Sequence, residues 1–228
     1  MQETKIAWAT HSWNPVSGCS KISEGCRNCY AERISLKFRH SLKPWTFSNA
    51  GENVVMHPER LGQVEKLKPG QRIFVNSMSD LYHENVPDEF IKKIFYVAMS
   101  HPEHNFIILT KRSDRLKIWP GPWTPNIWAG VTIEDARNLG RLDDLKASRA
   151  WVKIVSFEPL LGPITADLTG IDWVIVGGES GPGFRPMEAD WARTLRNSAK
   201  AAGAAFFFKQ FPGLMPGHTP ELDRVQYH

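Results

Sequence analysis

Cys19, Cys26 and Cys29 are the residues whose type and spacing most directly imply chemistry. They are the three cysteines of a 228-residue chain and fall in one short segment, WNPVSGCSKISEGCRNCY, residues 13–30. Three thiolates on one loop are soft ligands, suited to zinc or to an iron–sulfur cluster. An odd number of cysteines, so closely spaced, argues against a disulfide framework.

The two metals ask for different partners. A closed structural zinc site takes four ligands, and the fourth would have to be His11, His40 or a more distant residue. The protein would then be a zinc-stapled, non-enzymatic nucleic-acid-binding module. A [4Fe–4S] cube held by three thiolates instead leaves one iron open to a small molecule. The amino and carboxylate groups of S-adenosylmethionine (SAM) can chelate such an iron. Gly18 and Gly25 would let the loop wrap closely around the cluster.

A second set of chemically able residues recurs just after apolar runs. Ser77 and Asp80 follow one run. Thr110, Lys111 and Arg112 follow the next, then Thr132 and Glu134, then Glu158, then Gly177, Gly178, Glu179 and Ser180, and lastly Lys209 and Gln210. The runs themselves, at 5–9, 72–76, 105–109, 127–131, 152–156, 172–176 and 204–208, are continuously apolar, the mark of strands covered on both faces. Helical patterns lie between them at 29–38, 87–100, 133–145 and 188–202. Pro87 and Asp88 suit a first turn, Thr132 a cap, and Gly203 a stop. Strand and helix alternate, which predicts a parallel α/β sheet. Six or seven strands would make a partial or closed (β/α) barrel, with a doubly wound open sheet as the competing architecture. In both, ligands bind at the carboxyl ends of the strands.

Composition narrows the class. The length suits one domain, with 212–228, rich in Pro and Gly, as a surface tail. No run reaches the roughly 18 apolar residues of a membrane span. The N-terminus reads as neither leader nor anchor, so the expected location is cytoplasmic. The formal net charge is +4 and there are nine tryptophans. Arg112, Arg115, Lys117, Arg137, Arg141, Arg185 and Arg193, with Trp119, Trp123 and Trp128 interleaved, would suit DNA or RNA through phosphate contacts and base stacking.

The stretches WNPVSGCSKISEGCRNCYAE, NSMSDLYHENVP, FIILTKR, VSFEPLLGPI, DWVIVGGESGPGFRPM and FFFKQ together resemble the phage Gp37/Gp68 family, a domain of unknown function regarded as radical-SAM-like. The resemblance runs from about residue 6 to residue 210. It implies a barrel of the radical SAM type, a [4Fe–4S] cluster on Cys19, Cys26 and Cys29, SAM as cofactor, and release of a 5′-deoxyadenosyl radical. It also implies a reductant such as flavodoxin or ferredoxin. Asp80, Lys111, Glu158, Glu179 and Lys209 match its polar motif positions. Asp80 or Ser77 would accept from the SAM amino group. Thr110, Gly177 and Gly178 would complete the cofactor site. A substrate in DNA or RNA would make the reaction one of repair or modification, similar in type to that of spore photoproduct lyase. Two features depart from the wider superfamily. The first cysteine gap is six rather than three, with Asn28 where an aromatic is usual. The Gly-Gly-Glu string follows the sixth apolar run rather than the second.

Overall fold

The computed structural model describes residues 1–217 and 219–227. Seven strands form one parallel sheet: β1 (His11–Trp13), β2 (Arg72–Val75), β3 (Asn105–Thr110), β4 (Ile127–Thr132), β5 (Val152–Phe157), β6 (Trp173–Gly177) and β7 (Ala205–Gln210). Their spatial order is their chain order, and a two-residue strand, Gln2–Glu3, pairs antiparallel to β1 at the edge. A doubly wound sheet must reverse its strand order at a switch point. This sheet never does, so it curls into a half-barrel.

Alternation along each strand sorts side chains to two faces. The convex face carries Phe106 and Ile108, Ala129 and Val131, Val155 and Phe157, and Val174 and Val176. Helices α2 (Asp88–Ser100), α4 (Gly140–Ala147) and α5 (Ala189–Ala202) cover it, with Phe90, Ile94, Phe95, Leu142, Leu145 and Leu195 fully or nearly buried. In α2 the acids Asp88 and Glu89 occupy the first turn, where the helix dipole favours them. The short helices α1 (Tyr30–Lys37) and α3 (Ser113–Ile118) lie elsewhere along the chain.

The concave face begins with a separate apolar cluster of Ile107, Ile154, Ile175 and Phe207, to which Trp8 and Ala9 belong. This is where the structure departs from the expected strand at 5–9. That segment forms turns, and Ile6 and Trp8 plug the amino-terminal floor of the half-barrel instead of pairing in the sheet. The cap expected of Thr132 falls to Asp135, whose side chain accepts from the Arg137 amide. The helix beyond is broken into a 3-10 turn and α4. The stretch after residue 212, read from sequence as a surface tail, carries a small hairpin, Glu221–Leu222 with Val225–Gln226. Leu222 is fully buried in the main core and Asp223 pairs with Arg193 and Arg196 of α5. One such buried leucine contributes roughly 1.5–3 kcal/mol. Among the described residues no helix is long and apolar enough to cross a membrane.

Candidate functional site

The cysteine loop leaves β1 and lies across the carboxyl ends of the strands. It starts with a tight bend at Gly18, whose φ of +82° suits glycine and whose missing side chain makes room for the Asn53 carbonyl. The Gly18 amide donates to the Met78 carbonyl at 3.0 Å, which fastens this end of the loop to the segment after β2.

Three buried or nearly buried ion pairs, each from a different strand end, then hold the loop. The first is Arg112 with Asp80. Asp80 accepts from Tyr82 N at 3.0 Å, Thr110 Oγ1 at 2.7 Å, Lys111 N at 3.1 Å and Arg112 Nη1 at 3.2 Å. Arg112 in turn donates to Cys19 Sγ at 3.5 Å, to the Ser20 carbonyl and hydroxyl at 3.2 and 2.9 Å, and to Glu84 at 2.9 Å. The second is Arg141 with the fully buried Glu134, at 2.9 Å, and Glu134 accepts from the Gly25 amide at 3.3 Å. The third is Arg185 with Glu179, at 2.5 Å. Glu179 also accepts from Asn28 Nδ2 at 3.0 Å, and Arg185 donates to the Glu24 carbonyl at 3.0 Å. Burial alone would raise the Glu179 carboxyl, but the bonds from Arg185 and Asn28 outweigh it and hold the group below its usual range.

His83, with no exposed surface, extends the first grip. Its Nδ1 accepts from the Asn85 amide at 3.0 Å, so Nε2 carries the proton toward Ser20 Oγ at 2.9 Å. Burial and the nearby Arg112 charge lower its pKa to about 4, so the ring is neutral at pH 7.

These geometries bear on several expected roles. Asp80 has four donors on a carboxylate with about four lone-pair positions, which leaves none for a SAM ammonium. Thr110 is spent on Asp80 and on the Arg112 amide. Glu179 serves Arg185 and Asn28. Gly177 and Gly178 serve the sheet: the Gly178 amide donates to the Gln210 carbonyl, and a side chain at 178 would collide with Pro212. Glu134, Arg141 and His83 do as much for the loop as any expected site residue. The signal available for Glu134 was its place right after an apolar run.

What remains open lies on the concave side of the loop. Lys111, Glu158 and Lys209 continue the inward rows of β3, β5 and β7, and all three are half-buried. Lys209 sits where the β6–β7 register slips, and its ammonium pairs with Glu158. A bulge of this kind re-aims a side chain. The Lys111 ammonium has no hydrogen-bond or ion-pair partner among the described residues and lies within electrostatic reach of Cys29. Tyr30, whose hydroxyl donates to the Ser77 carbonyl at 2.7 Å, feels both Cys29 and Glu158. Ser77 Oγ donates to Asn14 Oδ1 at 3.2 Å.

The three cysteines are free and half-buried, and the Cys26 charge bears on both Cys19 and Cys29. Burial, then the Asp80 charge, pushes the Cys19 thiol up to about 12, and burial raises Cys29 as well. Metal loading must therefore displace protons. Among the described residues no group of three or more His, Cys, Asp or Glu side chains is arranged as it stands to hold a metal ion. Among the described residues no histidine is grouped with these thiols to complete a closed zinc set. His40 lies beyond the far end of α1, about 12 Å of helix rise from Cys29. The ring nitrogens of His83 are occupied.

The expected basic and aromatic face is laced with ion pairs, with Lys117 and Arg137 still exposed. Each of its seven cations is paired with a carboxylate: Arg112 with Asp80, Arg115 with Asp88, Lys117 with Asp144, Arg137 with Asp135, Arg141 with Glu134, Arg185 with Glu179, and Arg193 with Asp190 and Asp223. Trp119 is buried, and Trp123 packs edge-on against Phe95.

Compared with known proteins, the chain matches one family profile, described as "Protein of unknown function (DUF5131)", over residues 3–224. No curated protein and no solved structure matches it significantly.

Proposed function

The chain belongs to this DUF5131 family, and we propose, from the site just described, that it is a radical SAM enzyme on a half-barrel of the radical SAM type. The resemblance to the phage Gp37/Gp68 proteins is part of the same reading. One observation carries it: a loop with three free thiols, with no fourth protein ligand grouped with them among the described residues, gripped at the carboxyl mouth of a parallel half-barrel whose concave face keeps unspent polar groups.

In this reading Cys19, Cys26 and Cys29 would hold a [4Fe–4S] cluster, with SAM as its partner cofactor. When bound and reduced, the pair supplies a 5′-deoxyadenosyl radical. The chain's own residues do the rest. Arg112 donates to Cys19, which favours the thiolate. Lys111 offers an unpaired cation for a carboxylate or phosphate. Glu158, oriented by Lys209, accepts from hydroxyl or amino groups of whatever lies on the concave face. Ser77, with lone pairs to spare, takes the acceptor role that Asp80 cannot fill. The floor of Trp8, Ile107, Ile154 and Phe207 closes the far end against water.

Anaerobic reconstitution with iron and sulfide tests this directly. About four irons and four sulfides per chain are expected, lost in a Cys19→Ala, Cys26→Ala, Cys29→Ala triple variant. Reduction in the presence of SAM should then release 5′-deoxyadenosine. Zinc retained without sulfide would overturn the reading.

A further inference from the structure

Helix α1 is built inside out. Its buried positions are Ala31, Glu32 and Ser35, two of them polar and the third a single methyl group. Glu32 earns its burial by accepting from the Trp45 amide at 2.8 Å and pairing with Lys21 at 2.7 Å. The stripe that would bury an ordinary amphipathic helix, at i, i+3, i+4, i+7 and i+8, consists of Tyr30, Arg33, Ile34, Lys37 and Phe38, and all five face solvent. Tyr30 is 40 % exposed, Ile34 39 % and Phe38 59 %, a contiguous apolar surface rather than a scattered residue.

The stripe carries charge of one sign. The helix's single acid is turned inward, and Arg33 and Lys37 have no carboxylate partner among the described residues. That sets them apart from the seven paired cations above. Lys37 Nζ lies 5.5 Å from the centre of the Phe38 ring, and the Arg33 guanidinium lies against Gly181. Along about 12 Å of helix, apolar side chains recur once per turn with a cation between each pair. Tyr30, at one end, adjoins Cys29 and the concave mouth.

We propose that this stripe is a docking platform for single-stranded nucleic acid that delivers the strand to the mouth. A polymer alternating flat apolar bases with anionic phosphates matches a row alternating aromatic or aliphatic side chains with unpaired cations. A duplex hides its base faces and would leave Ile34 and Phe38 uncovered. At about 3.4 Å per nucleotide the row spans three to four stacked nucleotides. The proposal rests on the radical SAM reading only for what happens at the mouth; the docking is a property of the chain itself.

The test is fluorescence anisotropy of the full-length chain with a labelled short oligothymidylate, at roughly 50 and 200 mM salt. Binding should weaken steeply with salt. Phe38→Ala should weaken it by at least about fivefold, the loss expected for one stacked base. Arg33→Glu with Lys37→Glu should weaken it by more than tenfold. Lys200→Glu, on α5, should leave it unchanged. These positions are exposed, and circular dichroism melts matching the parent confirm that the variants fold. No binding at low salt overturns the proposal, as does parental affinity in the α1 variants or equal affinity for duplex DNA. Self-association that Phe38→Ala abolishes, without oligonucleotide binding, would assign the stripe to a second copy of the chain instead. A chain that binds oligonucleotide but takes up no iron would lose the proposed function and keep this surface.

Discussion

Two sets of charged residues ring the mouth of the half-barrel, and they are spent in opposite ways. The gripping set, Asp80–Arg112, Glu134–Arg141 and Glu179–Arg185, is buried or nearly so, and its carboxylates accept from loop amides, side chains and guanidinium groups. The concave set, Lys111, Glu158 and Lys209, is half-buried with one ion pair among three charges. Both sets follow apolar strands, and both look alike in sequence. The difference teaches that a carboxylate at a strand end is available to a ligand only if the fold has not already filled its lone pairs. A buried carboxylate left unfilled would cost several kcal/mol, so the filling is a condition of folding rather than an accident of it.

The comparison breaks first at Asp80. Removing it with Asp80→Ala leaves the buried Arg112 with only the more exposed Glu84 as counter-charge, and the expected loss is about 3–5 kcal/mol, read by urea denaturation. A loss below about 1 kcal/mol would place Asp80 with the concave set.

His83 gives the next largest effect, through pH. Its folded pKa of about 4 lies below the ordinary 6.5, so the unfolded chain binds the proton more readily. The stabilising contribution is complete above pH 6.5 and is lost as the pH falls toward 4. The expected fall is on the order of 3 kcal/mol. Urea melts of the metal-free chain at several pH values should show it, and His83→Gln should flatten that part of the profile.

Gly178→Ala comes third. The added methyl meets Pro212, and the strain is expected to cost about 1–3 kcal/mol, visible as a lower melting temperature with the cysteine loop intact.

Lys209→Met is the smallest in stability and sharpens the contrast most. Its pair with Glu158 is partly solvated, so the change should stay within about 1 kcal/mol. Retention of SAM or substrate by the loaded protein, measured by equilibrium dialysis, should nevertheless fall. A stability loss like that of Asp80→Ala, with binding unchanged, would move Lys209 into the gripping set.

Much of this was legible in the chain. The six apolar runs from residue 72 onward all became parallel strands, because continuous Val, Ile and Phe runs have nowhere to go but a sheet covered on both sides. α2 and α5 followed from helical spacing, a first-turn acid or Pro, and Gly203. The first strand was not legible. KIAWA reads as a strand, yet Ile6 and Trp8 are worth more to the chain as the plug of the barrel floor. HSW, with one fully buried residue, pairs with β2 instead. The docking of the tail was likewise not legible, since one buried leucine and one aspartate between two arginines dock it, and composition averages such residues away.

The sequence by itself determined the three thiols, their common loop and the parallel α/β class, because spacing and apolar runs are local properties. Only the tertiary structure decided which polar residues are free. The partners of Asp80, Glu134 and Glu179 come from elsewhere in the chain, and lone pairs are filled by neighbours in space. It also decided that α1 faces outward: the helix pattern marks a stripe, but which side meets the core depends on where Glu32 finds Trp45 and Lys21.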